Sequence, residues 1–232
     1  MRRAWRVVIA LALVSATVAC GGGGSGEISE SEAREALPRM VIQEAQLPEG
    51  LERAGEDFTT NEQLVESGVG GAPEAAKVDE WGRVLGYETD FQAAALPSGP
   101  LITGVATAAS AYKTPQGATA SFEDTAQRAR DADWTLAHPD LKEFEEKEIQ
   151  RDLPVDGVVW LRLSGLQPRV SGEGHVLVVD DQIIYRVGQV RGHLRVLTSE
   201  ASATDRNLVV SQVEALLRTQ IQNTREALEG LE

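Results

Sequence analysis

VVWLRLSGLQPRVSGEGHVLVVDDQIIYRVGQVRGHLRVL, residues 158–197, decides the fold. Val158 to Leu163, His175 to Val179, Gln182 to Val187 and Val190 to Leu197 are rich in β-branched and large apolar residues. They read as four strands. Asp180-Asp181 and Gly188-Gln189 fall where two-residue hairpin turns belong, and both aspartates are expected to be solvated turn acids. Gly165 to Gly174 reads as a longer loop.

Working outward, Ser202 is positioned to cap a C-terminal helix, with Asp205 three residues on. Leu208 (or Val209), Val213, Leu216, Leu217, Ile221 and Leu228 recur at helical spacing, a stripe that must lie on the sheet. On the N-terminal side, Glu143 to Arg151 is charge-rich and is expected to be an edge strand. Thr114-Pro115 marks a helix start, a capping hydroxyl followed by proline. Ala118, Phe122, Thr125, Ala126 and Ala129 form one face of that helix, which is expected to end near Trp134. Arg83 to Phe91 and Leu101 to Lys113 read as two more strands.

The segment before them, 27–67, is acidic, with 11 Asp+Glu against 3 Arg. It is expected to be helical: Ser31 to Met40 interrupted by Pro38, a turn at Gln46 to Gly50, and a short helix through Asn61–Ser67 capped by Thr60. Pro73 opens another helix to Trp81. Hairpin-connected strands with helices on a face make the fold α+β, an antiparallel sheet of about six to seven strands. This element order over roughly 80–228 resembles the PsbP/Mog1-like fold, which is used by bacterial lipoproteins.

The first 26 residues follow a different logic. Arg2, Arg3 and Arg6 precede Val7 to Ala19, an uncharged run too short to span a bilayer, as in an export signal. Thr17-Val18-Ala19-Cys20 and the glycine-rich tether after it resemble the lipobox of bacterial lipoproteins. The resemblance implies removal of residues 1–19, acylation of Cys20, and a tether over 20–29 carrying a single α+β domain over 30–232. That domain has an acidic helical part, 30–80, and a sheet-and-helix part, 81–232. Cys20 is the only cysteine, so no disulfide joins two cysteines of this chain.

Composition excludes some partners. The formal charge is −14, and without the three leader arginines the chain carries 19 Lys+Arg against 36 Asp+Glu. Such acidity opposes both nucleic-acid binding and a polybasic grip on anionic lipid. Motifs for metal, phosphate or nucleophilic chemistry are missing: His138, His175 and His193 lack ligand spacing, and no serine elbow or phosphate loop appears. No cofactor or metal is expected.

Trp81, Tyr87, Trp134 and Trp160 are the least ordinary feature, as core residues or as a binding platform bordered by Arg169. The expectation is a non-catalytic binding or accessory module, tethered by lipid in the cell envelope, whose partner is an envelope protein. The alternative is a carrier for a small apolar ligand, and an enzyme is a third, more distant reading.

Overall fold

The computed structural model describes residues 26–66, 73–94, 102–168, 174–200 and 206–231. Its elements run α1 (Glu30–Met40), β1 (Leu51–Thr59), α2 (Asn61–Glu66), α3 (Ala75–Glu80), β2 (Arg83–Ala93), β3 (Ile102–Tyr112) and α4 (Pro115–Asp131). Then follow α5 (Trp134–Ala137), β4 (Lys142–Glu148), β5 (Gly157–Pro168), β6 (His175–Val187), β7 (Val190–Glu200) and α6 (Arg206–Glu229). All seven strands join one antiparallel sheet, ordered β1-β2-β3-β7-β6-β5-β4. The α+β class is thus as expected.

Two departures explain why the strand count comes out right. Leu51–Thr59, inside the stretch expected to be helical, is edge strand β1. His175–Val187 is one continuous strand rather than two around an Asp180-Asp181 turn. One strand is gained and one boundary lost. The true turn is at Gly188-Gln189, where Gly188 adopts φ 54°, a conformation cheap only without a Cβ.

The aspartates are buried instead of solvated, one on each face of the sheet. Asp181 receives the Trp160 Nε1 proton at 2.6 Å and a two-pronged Arg162 at 2.8 Å. Asp180 is gripped by Arg195 through Nε and Nη2, by Gln182 at 2.8 Å, and lies 3.4 Å from His138 Nε2. Buried carboxylates survive when each oxygen has donors.

The two faces are covered differently. One packs against α1 and α6, burying Phe91, Val105, Trp160, Ile183, Tyr185, Leu194 and the α6 stripe Val209, Val213, Leu216, Leu217 and Ile221. Helix α1 starts at a capping box, Ser29 with Glu32, and buries Ala33, Ala36, Leu37 and Met40. Pro38 does not interrupt it. Its missing N–H falls in the last turn, and the helix closes two residues later. The opposite face is covered only in part by α4, whose Ala126 and Ala129 lie on Val159, Leu161 and Ile184. Thr114 Oγ1 caps α4 by accepting from Gly117 N at 3.1 Å. The rest of this face is left to polar side chains.

Both edges are charged and irregular, as edges that resist pairing are. The expected edge strand is β4, and both β4 and β1 carry a register shift. Cys20, Ser202, Asp205, Arg169 and the side chain of Leu208 lie outside the described residues.

Candidate ligand-binding cleft

Alternation along each strand sorts the half-covered face into rows. Thr59, Gly86, Ser110 and Arg191 form one row across β1, β2, β3 and β7. Asp57, Glu88, Ala108, His193 and Ile184 form the next. Small residues at Gly86 and Ala108 leave a hollow where larger ones would fill it. Walled by α2 on one side and α4 on the other, the hollow is a cleft of about 290 Å³.

Two arginines set its character. A register shift between Arg83 and Leu85 puts Arg83 on the same face as Gly86, though they are an odd three positions apart. Its guanidinium reaches Gly86 with Nη2 foremost, where any Cβ would collide with it. Nε donates to Ser110 Oγ at 3.3 Å and Nη1 to Asn61 Oδ1 at 2.9 Å. Arg83 is only 5% exposed, yet it has no carboxylate partner among the described residues. Burial pulls its pKa down to about 10; the like charge of Arg191 adds to this, while Tyr112 and Glu88 act against it.

Arg191 enters from the other side of Ser110, its cross-strand neighbour. Its Nη1 donates to Ser121 Oγ at 3.0 Å and to Thr125 Oγ1 at 2.5 Å, both on α4. It too makes no ion pair among the described residues. Two guanidiniums flanking one hydroxyl, hydrogen-bonded only to neutral partners, leave positive charge that Glu88 offsets only at a distance, in a partly desolvated hollow. That arrangement costs folding energy, and an incoming anion would relieve it.

His193 completes the floor. Burial, then Arg191 and Arg195, lower its pKa to about 4, so the ring is neutral at pH 7, with Nε2 3.2 Å from Gln182 Oε1. His175 pairs with Pro168 rather than facing His193. Among the described residues no cluster of His, Cys, Asp or Glu could hold a metal.

The structure separates the four aromatic residues into four packing clusters. Trp160 lies beneath α6, Tyr87 beside α1, Trp81 under α4, and Trp134 packs on the cluster that α4 forms with Val159, Leu161 and Ile184. Trp81 (5% exposed) and Trp160 (1%) are core side chains. Trp134 Nε1 is occupied by Ala129 O at 2.8 Å. Only Tyr87 borders the cleft, and its hydroxyl is engaged by Glu56 at 2.7 Å.

Sequence reasoning passed over Arg83, Arg191, Ser110 and Glu88. One signal was visible: Arg191, His193 and Arg195 alternate on β7, a basic row on one strand face. Arg83 depends on a bulge, which leaves no such trace.

No protein-family model matches this sequence, and no curated protein matches it significantly. Among solved structures the chain is similar to the extracellular domain of PknH from Mycobacterium tuberculosis. The TM-score is 0.50 at 8% identity, covering 89% of this chain and 100% of that one. At this identity the likeness is one of fold alone.

Proposed function

We propose that this chain is a non-catalytic binding module of the cell envelope, tethered to a membrane by lipid on Cys20, with the cleft over Gly86 and Ala108 as its ligand seat. The carrying observation is the Arg83–Arg191 pair, one guanidinium buried and the other half-buried, neither in an ion pair among the described residues. A core selected only for stability has no use for such a pair, whereas a binding site does. A carrier of an apolar ligand calls for an apolar enclosure; this cleft's charged floor and rim favour a polar occupant. The envelope address rests on the lipobox-like leader, and the extracellular neighbour in fold space is in keeping with it. Among the described residues no helix is long and apolar enough to cross a membrane; attachment is assigned to acyl chains on Cys20, at the end of the lipobox-like residues Thr17 to Cys20.

The test is ligand-dependent stabilisation of the mature protein against a library of small polar compounds. A ligand at about 100 times its Kd adds about 2.7 kcal/mol, a rise of roughly 5–10 °C in Tm for a domain this size. Ala108→Leu, which fills the floor without touching either arginine, should remove the rise. Stabilisation unaffected by that change, or turnover of the stabilising compound, would overturn the reading. Mass spectrometry of the mature N-terminus should show acylated Cys20; an unmodified terminus or intact Met1 would remove the tether.

A further inference from the structure

The cleft holds charges of both signs, and they are segregated. The row of Gly86 and Ser110 is cationic through Arg83 and Arg191. In the next row Asp57 and Glu88 are direct cross-strand partners, both line the cleft, and neither makes an ion pair among the described residues. Glu88 is held above the usual carboxylate range by partial burial, then by Asp90 and Asp57. Each end of the cleft therefore carries like charges side by side; Glu88 and Arg83 attract one another across it, but no ion pair closes the gap among the described residues.

Taking the cleft as the ligand seat, we propose that the occupant is a small zwitterion of dipeptide length. Its carboxylate sits between Arg83 and Arg191 above Ser110, and its ammonium sits against Asp57 and Glu88. Length follows from the rows. Gly86, beneath the Arg83 guanidinium, and Glu88 are two residues apart on one face of β2, or about 7 Å. An extended dipeptide spans about the same distance, whereas an α-amino acid carries its two charges on one carbon and is too short to reach both.

Donor geometry agrees. Among the described residues Arg191 keeps Nε and Nη2 without a hydrogen bond, a fork that matches a carboxylate, and Arg83 keeps Nη2 alone. A simple polyanion would satisfy the floor but meet the acidic rim, which gives discrimination by repulsion. The cleft's volume of about 290 Å³ is of the right order for such a molecule.

Isothermal titration of the mature protein in detergent tests this with five probes: Ala-Ala, N-acetyl-Ala-Ala, Ala-Ala amide, free alanine and inorganic phosphate. Ala-Ala should bind, and each of the others should bind at least tenfold more weakly. Glu88→Gln should erase the preference for a free over an acetylated amine, and Arg83→Met the preference for a free acid over an amide. Equal binding of blocked and free peptides, phosphate outcompeting Ala-Ala, or no Ala-Ala binding at about 10 mM would overturn the zwitterion. If a different compound still binds and Ala108→Leu abolishes it, only the ligand class fails and the cleft stands.

Discussion

Gly86 is the residue on which the cleft depends, because the guanidinium of Arg83 occupies the space a Cβ would need. Gly86→Ala must push Arg83 off Ser110 and Asn61. The expected cost is about 1–3 kcal/mol in urea denaturation, from hydrogen bonds lost at a buried charge, and ligand stabilisation should vanish with it. Arg83→Met behaves differently. It removes a buried charge that has no ion-pair partner, so Tm should hold steady or rise while binding is lost. A fall of several degrees would mean that Arg83 is a structural strut instead.

His193 supplies a pH dependence. Its native pKa lies near 4 against an ordinary 6.5, so the unfolded chain takes up the proton first. The contribution to stability is complete above about pH 6.5 and is lost as pH falls towards 4, on the order of 3 kcal/mol. Glu88, held above its usual range, acts in the opposite direction. The informative comparison is therefore with His193→Gln: its Tm should fall less between pH 6.5 and 4.5 than that of the unaltered protein. Parallel curves would show that His193 titrates normally.

At the scale of elements, β6 shows what sequence can and cannot disclose. Its apolar halves were legible, as were Gly188-Gln189, the Thr114-Pro115 cap and the α6 stripe, because each depends on local chemistry. Asp180-Asp181 was not, because the aspartates' partners, Arg195 on β7 and Trp160 and Arg162 on β5, are brought near only by the sheet. Strand β1 was hidden for a related reason: Leu51-Glu52-Arg53-Ala54-Gly55-Glu56 buries a single large side chain, Leu51, and has no alternation to read. Replacing Asp180-Asp181 by Asn-Gly discriminates directly. A hairpin turn would accept it readily. Within one strand it strips Arg195, Arg162 and Trp160 of their acceptor carboxylates and should cost more than about 3 kcal/mol, enough to lower the urea midpoint sharply. The narrower PsbP/Mog1-like resemblance still rests on element order alone.

For the whole molecule, the sheet has an apolar face sealed by α1 and α6 and a polar face left partly open, and the first described residue, Gly26, sits at a definite end. Gly26 O accepts from Gln189 Nε2 at 3.2 Å, and the same amide donates to Lys113 O at 2.7 Å. This is the end of the β6–β7 turn, and Arg191 lies two residues beyond Gln189. In the sequence only five Gly and Ser residues, 21–25, separate Cys20 from this point. The opposite end, where Lys142 pairs with Leu166, lies most of a β6 length away, on the order of 30–40 Å. Acylation of Cys20 therefore implies that the cleft's cationic row sits near the bilayer, with the far end pointing away. Fluorophores placed through Lys113→Cys and Lys142→Cys in the vesicle-bound protein should report this. A headgroup-borne quencher should quench the first strongly and the second weakly, and lengthening the tether threefold should narrow the difference. Equal quenching with the natural tether would show that the body tumbles freely or lies on its side, and the tethered end would then set no orientation for the cleft.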